Sequence, residues 1–426
     1  MNTQTIDHKI TDQDWIIINN KKYDIREFKK RHPGGEYIIA CYAGMDASDV
    51  FHEFHENVIK TRHILSTLPV IGMVPGTIDN SSFDDDIRAL RIVFEQEGKF
   101  LVDPYFYIGK CIELLCLFSS ASLLLKAGWW FTSSATMGLF FQQAGWLSHD
   151  IAHNQVTQSS REFRTSLLGI FGNLCQGFSG SWWIKKHMLH HAMPNAIHEK
   201  TNKAVEEDFD TAPLLYWTSR LFPSKDGVPP WYTRWQGYYL WLVLPWSKFF
   251  WDYQSIQTSI VSRAWSESFL IVLHYMLLGL HVWILQPSIA PSVFTIPSLS
   301  PILWYMLMSR LWGGFLISWV FIQSHNGMTY YDRKTLGFYE AQAVSTRNMS
   351  LDKWTTWFTG GLNYQIEHHL FPTMPRHHLP SIADKIQTIF RIHNIPYITS
   401  GILKCTKFLT SYLNKLGREK PIKKTE

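Results

Sequence analysis

Histidine is the residue in this chain whose spacing points to chemistry. There are 19 of them, and a subset repeats a short pattern. His149 and His153 stand four apart. His187, His190 and His191 have offsets of zero, three and four, and Gln365, His368 and His369 repeat those offsets with glutamine in the first place. On a helix, such offsets point side chains to one face, where they can hold an ion together. His325, at the end of a long apolar stretch, completes the set. A lone histidine is ordinarily satisfied by a simple hydrogen bond, but that reading does not account for a repeated pattern. The eight imidazoles exceed what one tetrahedral zinc takes, and they suit two iron ions with positions open to oxygen. A second motif, His32-Pro33-Gly34-Gly35, lies near the N-terminus, with His52, His55 and His63 downstream. Its glycines let the backbone turn sharply. Taken alone, the motif also fits an exposed turn.

These side chains need a scaffold, and composition says what kind. Aromatic residues make up 15% of the chain and charged residues only 18%, which favours partial immersion in lipid. The mean hydropathy of −0.10 fits a few membrane passes beside a large water-facing portion. A net charge of +5 without basic runs interleaved with aromatics gives no sign of nucleic-acid binding and is compatible with anionic lipid headgroups. Cys41, Cys111, Cys116, Cys175 and Cys405 show no metal-ligand spacing and suit a reducing, cytosol-facing setting.

Residues 1–75 read as a small soluble domain, residues 76–86 as a linker, and residues 87–426 as a membrane domain. Between 111 and 148 the only charges are Glu113 and Lys126, and between 268 and 309 there are none. Each stretch is long enough for two spans, the second broken by Pro287, Pro291, Pro297 and Pro301. The expected spans are about 106–126, 128–148, 268–286 and 302–324. Residues 165–183 and 237–246 read as interfacial or re-entrant segments. Arg310, inside the last span, either snorkels to the far face or pairs with a charge inside the bundle. Lys and Arg gather in the N-terminal, central and C-terminal segments, which places all of these, and both termini, on the cytosolic side. The polar first residues lack the apolar core of a secretory signal. Lys423 and Lys424 resemble a dilysine signal for return to the endoplasmic reticulum.

The motifs carry a resemblance. His149-Asp150-Ile151-Ala152-His153, His187-Met188-Leu189-His190-His191 and Gln365-Ile366-Glu367-His368-His369 are similar to the three histidine boxes of membrane fatty-acid desaturases. Glutamine at the head of the third box, with Gly360-Gly361-Leu362-Asn363-Tyr364 before it and Leu370-Phe371-Pro372-Thr373-Met374-Pro375-Arg376 after it, resembles the front-end desaturases of delta-5 and delta-6 type. Those enzymes insert a cis double bond between an existing one and the carboxyl end. The N-terminal region resembles cytochrome b5, and the likeness covers essentially the whole chain. It implies an α+β haem domain followed by an all-α desaturase domain with four transmembrane helices and a cytosolic di-iron cap.

It also implies haem b held by His32 and His55 beside Pro33, Gly34 and Gly35, with His52 the near rival of His55. Two non-haem irons would sit on His149, His153, His187, His190, His191, His325, His368 and His369, and Asp150 and Gln365 are the candidate catalytic side chains. O2 is the implied co-substrate, with electrons from NADH through a separate cytochrome b5 reductase. The acyl substrate would be carried on coenzyme A or a phospholipid, in the endoplasmic reticulum membrane. A sphingolipid (delta-8) desaturase or an acyl hydroxylase would share this scaffold. A haem carrier or sensor without turnover would not need the eight further ligands.

Overall fold

The computed structural model of this chain describes residues 14–55, 58–74, 81–157, 161–206, 210–223, 228–286 and 296–419. Residues 76–80 of the expected linker, Pro287, Pro291, and Lys423 and Lys424 lie outside the described residues.

The N-terminal region opens with an antiparallel hairpin, β1 (Trp15–Ile18) on β2 (Lys21–Asp24), and β3 (Val70–Met73) adds to β2. The hairpin turns at Asn19 and Asn20, whose φ angles of 49° and 63° give the left-handed pair that matches strand twist. Three short helices, α1 (Glu36–Ala40), α2 (Ser48–Phe54) and α3 (Val58–Ser66), lie between β2 and β3. Next comes α4 (Ser82–Gln96), which starts inside the expected linker because the Ser81 side chain accepts from Asp84 N and caps it. One face of α4 buries Phe83, Ile87 and Phe94. One continuous apolar cluster joins Ile16, Ile25 and Tyr42 to Phe83, Ile87, Leu189, Ile366 and Phe371, so the N-terminal region and the rest of the chain share a core.

The helices α5 (Pro104–Lys126) and α6 (Trp130–Ala152) form a hairpin. Then α7 (Arg161–Leu168) runs into a π-helical turn ending at Gly177, and α8 (Gly180–Ala192) turns back. After α9 (Gln236–Val243) and α10 (Ser247–Val261) come α11 (Trp265–Leu285) and α12 (Ile296–His325). Pro297 and Pro301 do not break this last helix: Pro297 stands in its first turn, where N–H groups lack partners anyway. The chain ends with α13 (Phe338–Ser345), α14 (Lys353–Phe358), α15 (Gln365–Leu370), α16 (Leu379–Ile392) and α17 (Ile402–Leu416).

Among the described residues, three helices are long and apolar enough to cross a bilayer: Pro104–Lys126, Trp265–Leu285 and Pro301–His325. On α11 the exposed residues Phe269, Val272, Met276, Leu280 and Ile284 follow helical spacing along one apolar stripe. The remaining long helix, α6, is less apolar because it is the inner one. Neighbouring backbones take up two of its polar side chains: Ser133 Oγ donates to Ala121 O at 2.6 Å and Gln142 Nε2 to Leu316 O at 3.1 Å. It also meets α12 so closely that a Cβ on Gly138 would fall 2.4 Å from Trp312 Cβ.

Arg310 is 1% exposed and does not snorkel. Its guanidinium donates to Asp252 Oδ2 at 2.8 Å, to the Tyr275 hydroxyl at 2.6 Å and to Gln176 O at 2.9 Å. Lys248 pairs with the same carboxylate, and burial together with nearby Arg310 pushes its ammonium down to about 7. The pairing ties α10, α11, α12 and the turn before α8 into one unit. Removing one partner of a buried pair strands the other, at a cost of about 3–5 kcal/mol. Asp252→Asn, which leaves the Arg310 guanidinium buried without its carboxylate, is therefore expected to lower the thermal midpoint of the detergent-solubilised protein sharply, and adding Arg310→Met should recover part of the loss. A scan of unfolding against temperature checks both, and independent, additive effects would contradict the pairing.

Candidate metal and haem sites

Helix ends present the histidines. His149 lies in the last turn of α6 and His153 caps it, while His325 is the last residue of α12. Arg347 closes the end of α12 by donating from Nε to Gln323 O and from its NH2 to Asn326 O, both at 2.6 Å, which satisfies carbonyls that a helix terminus leaves open. The start of α8 is capped by the Ser179 side chain. The hydroxyls of Ser179 and Ser181 in turn donate to Glu267 of α11, which fixes the direction from which His187, His190 and His191 approach.

The imidazoles gather in two buried groups. One holds His149, His153, His187, His191 and His368, the other His190, His325 and His369, and in each group the donor atoms lie within 4.8 Å of one another. The second and third sequence clusters each contribute to both groups. Neighbours on a helix are turned about 100° apart, given 3.6 residues per turn. The adjacent pairs His190-His191 and His368-His369 therefore split, one member going to each group. The groups abut where the rings of His191 and His369 stack at 4.1 Å. Gln365 joins the smaller group, its amide Nε2 3.0 Å from His325 Nε2.

The donor set fits metal ions. His149, His153, His368 and His369 each have a buried Nε2 with no hydrogen-bond partner, an arrangement that is costly unless an ion takes the lone pair. Burial, reinforced by the neighbouring rings, holds His187, His191 and His369 well below the usual imidazole range and brings His368 down to about 3. These rings are neutral near pH 7, the form that binds metal.

Several functional side chains are missing from the sequence reading. Glu206, buried, accepts from His190 Nδ1 at 2.6 Å and from Asn195 N at 3.0 Å. Gln342 accepts from His369 Nδ1 at 2.8 Å and donates to His191 O at 3.1 Å. His325 Nδ1 donates to Ser345 O at 3.1 Å. Each contact fixes a ring and leaves its other nitrogen to face the group. No spacing signal marks Glu206 or Gln342; only folding brings them to the rings. Asp150 is not one of the grouped donors but lies beside them: its Oδ1 is 3.6 Å from His149 Nδ1 and its Oδ2 meets Arg376 Nε at 2.9 Å, and Arg376 donates onward to Gly360 O. The boxes are thereby tied to the segment that follows them.

In the N-terminal region the rings of His32 and His55 face each other with centroids 6.2 Å apart. Each Nδ1 is held by a backbone carbonyl, His32 by Gly35 O at 3.2 Å and His55 by Phe51 O at 2.8 Å, so the two Nε2 atoms would be the ones to hold a haem iron. Two metal–nitrogen bonds of about 2 Å plus the half-widths of two imidazoles come to roughly 6 Å, which suits an iron between the rings. His52 instead bonds Asn19 Oδ1, and His63 is exposed. A Cβ on Gly34 would come within 3.0 Å of His32 Cε1, and Gly35 has φ of 104°, so both glycines are required by the loop. Pro33 is exposed at its tip.

Two buried imidazole groups set among long apolar helices, with a further histidine pair in the N-terminal region, fit a metal-dependent oxidoreductase built on membrane-length helices. Residues 127–401 match the family model described as fatty acid desaturase, and residues 5–90 the one described as cytochrome b5-like haem/steroid binding domain. The chain belongs to the fatty acid desaturase family, with a b5-like domain fused at its N-terminal side. It is similar to an acyl-lipid (9-3)-desaturase of Physcomitrium patens, 34% identical across 93% of this chain and 74% of the relative. A Delta(6)-fatty-acid desaturase of Caenorhabditis elegans is 29% identical over 91% of each chain. A Delta(8)-fatty-acid desaturase of Euglena gracilis is 31% identical over 90% of each.

Two outcomes are expected. Glu206→Gln should weaken metal binding by about 10- to 100-fold, read as non-haem iron per chain, with the haem spectrum unchanged. His55→Ala should abolish the low-spin six-coordinate haem spectrum of the full-length protein while His52→Ala preserves it; the reverse result would move the axial bond to His52.

Proposed function

We propose that this protein is a front-end acyl desaturase that places a cis double bond between an existing one and the carboxyl end of a polyunsaturated chain, at the delta-6 or delta-5 position. In this reading residues 1–75 bind haem b through His32 and His55, residues 76–86 link, and residues 87–426 form the desaturase. Helices α5, α6, α11 and α12 act as four spans, with the histidines and both termini on the cytosolic side of the endoplasmic reticulum. The observation that carries the chemistry is the pair of abutting buried imidazole groups.

The five-histidine group would hold one iron, and His190, His325 and His369 the other. Iron bound there, with O2 and two electrons passed from NADH through a reductase and the haem, supplies the oxidising power to remove two hydrogens from an unactivated methylene pair. The protein's own part is positioning and exclusion. Trp183 stacks on His187 at 4.8 Å and on Phe321 at 5.6 Å, an aromatic wall that keeps the site dry and suits an acyl chain. Glu206 and Gln342 aim the rings. Gln365 brings a neutral amide where a ninth imidazole would stand, a weaker donor that can hydrogen-bond at the open side of the smaller group. Asp150 acts by holding Arg376 and the segment after the third box.

Desaturation at the delta-8 position is the second reading, favoured by the 31% identity to the Delta(8) relative. Expression in yeast fed defined polyunsaturated acids, on coenzyme A and phospholipid pools separately analysed by gas chromatography, distinguishes these. A new bond on the carboxyl side of an existing one is expected; a hydroxylated product or a bond toward the methyl end would overturn the proposal. Gln365→His should keep both irons yet depress turnover or alter the product, and Gln365→Ala should lose activity with at most partial loss of metal. Wild-type turnover in both variants would reduce Gln365 to a packing residue.

A further inference from the structure

One contact surface is used by neither site. Glu53 sits on α2, between His52 and the haem-ligand candidate His55, and is buried to 1% exposure. Its carboxylate reaches out of the N-terminal region: Oε1 accepts from the Tyr339 hydroxyl at 2.6 Å and Oε2 from Arg91 at 2.6 Å. Beside it the rings of Phe54 and Phe338 meet edge to face at 6.3 Å. Tyr339 and Phe338 open α13, the helix whose later residues serve the iron-ligand candidates. Gln342 bonds both His369 and the His191 carbonyl, and Ser345 O accepts from His325. Tyr339 and Gln342 are three apart and therefore share a face of α13. Glu53, Tyr339, Gln342 and His369 thus form one chain of neighbours running from the helix that ends at His55 to the smaller histidine group. Further bonds hold the same surface closed: Tyr42 donates to Ala192 O at 2.7 Å, next to His191, Arg333 to Cys41 O at 3.0 Å, and Arg88 pairs with Asp49 at 2.7 Å.

We propose that Glu53 latches the b5-like region onto α13, and that the Tyr339–Gln342 face of this helix is the element through which electrons pass from that region to the iron site. The inference rests on the reading of His32 and His55 as haem ligands and of the two histidine groups as iron ligands. A carboxylate enclosed between a phenol and a guanidinium resists separation, because opening the surface would leave three polar groups to be resolvated or stranded. The docked state is therefore a fixed arrangement rather than an encounter between tethered bodies, and the distance for transfer is set by the fold. In each transfer one ferrous haem becomes ferric and one ferric non-haem iron becomes ferrous. NADH, through the reductase, returns the haem to the ferrous state.

The test uses full-length protein loaded with haem and iron, as wild type, Glu53→Gln and Tyr339→Phe. After reduction, mixing with O2 and substrate is followed by the haem absorbance, and amide hydrogen exchange reports the closure of α2 on α13. Both variants should keep wild-type haem spectra, haem potential and iron content. Both should lose exchange protection on α2 and slow haem reoxidation by roughly 10- to 100-fold, the effect of misplacing a positioned pair. Reduction of the iron site by dithionite with a small mediator, which bypasses the haem, should proceed at the wild-type rate. Haem reoxidation at the wild-type rate in both loaded variants overturns the latch. So does loss of iron, or slowed mediator reduction, in Tyr339→Phe, since α13 would then only scaffold the metal. Wild-type protein lacking haem or iron would sink the underlying site assignment instead.

Discussion

A buried imidazole is tolerated when it is uncharged and when the nitrogen that does not face an ion has a partner of its own, since an unpaired polar group in a dry interior costs one to several kcal/mol. Much of the chain answers to that condition. His190 leans on Glu206, His369 on Gln342 and His325 on a carbonyl of α13, and burial with mutual repulsion holds rings such as His187 and His191 in the neutral form. Supplying those partners requires α13, the turn around Asn195 and the end of α12 to converge on one place. Asn195 shows the constraint locally: with φ of 58°, it turns the chain so that its amide side chain donates to His325 O while its N–H holds Glu206.

The same rule operates deeper among the apolar helices, with charges in place of imidazoles. Asp252 accepts from Arg310 and Tyr275 and pairs with Lys248, while Arg310 also ties down the carbonyl before Gly177. Gly177 has φ of 80°, and a Cβ there would fall 2.7 Å from His274, so the chain makes its turn into α8 only with glycine. The direction of α8, and hence the aim of the second histidine cluster, depends on a polar knot that is enclosed by lipid-facing helices. Buried ion pairs seldom add stability over well-packed apolar residues; here the knot specifies an arrangement.

The b5-like region belongs to this economy too. Because Ile25 and Tyr42 share one apolar cluster with Leu189 and Ile366, it is a packed layer over the helices that carry the second and third histidine clusters rather than a body on a leash. A short linker alone would raise the local concentration of donor; a common core adds a fixed orientation, with α2 against α13.

The histidine offsets, the glutamine in the third cluster, the His-Pro-Gly-Gly loop and the two long uncharged stretches are local patterns. They were sufficient for the family and for all eight histidines now found in the two groups, because metal-binding side chains recur at helical spacing and membrane-crossing helices must be apolar wherever they are in the fold. Local pattern could not say how the rings divide. His190 and His191 are neighbours in sequence yet serve different groups, because one step along a helix turns the side chain by about 100° and the partners come from helices remote in sequence. Nor could it find Glu206 and Gln342, single polar residues with no period, or choose between snorkelling and pairing for Arg310. The stretch expected to span at 128–148 folds as the long helix α6, which is not among the three helices apolar enough to cross a bilayer and carries Ser133 and Gln142, each donating to a backbone carbonyl of a neighbouring helix. Those outcomes depend on which polar groups meet across tens to hundreds of residues, and only the tertiary structure brings them within hydrogen-bonding distance.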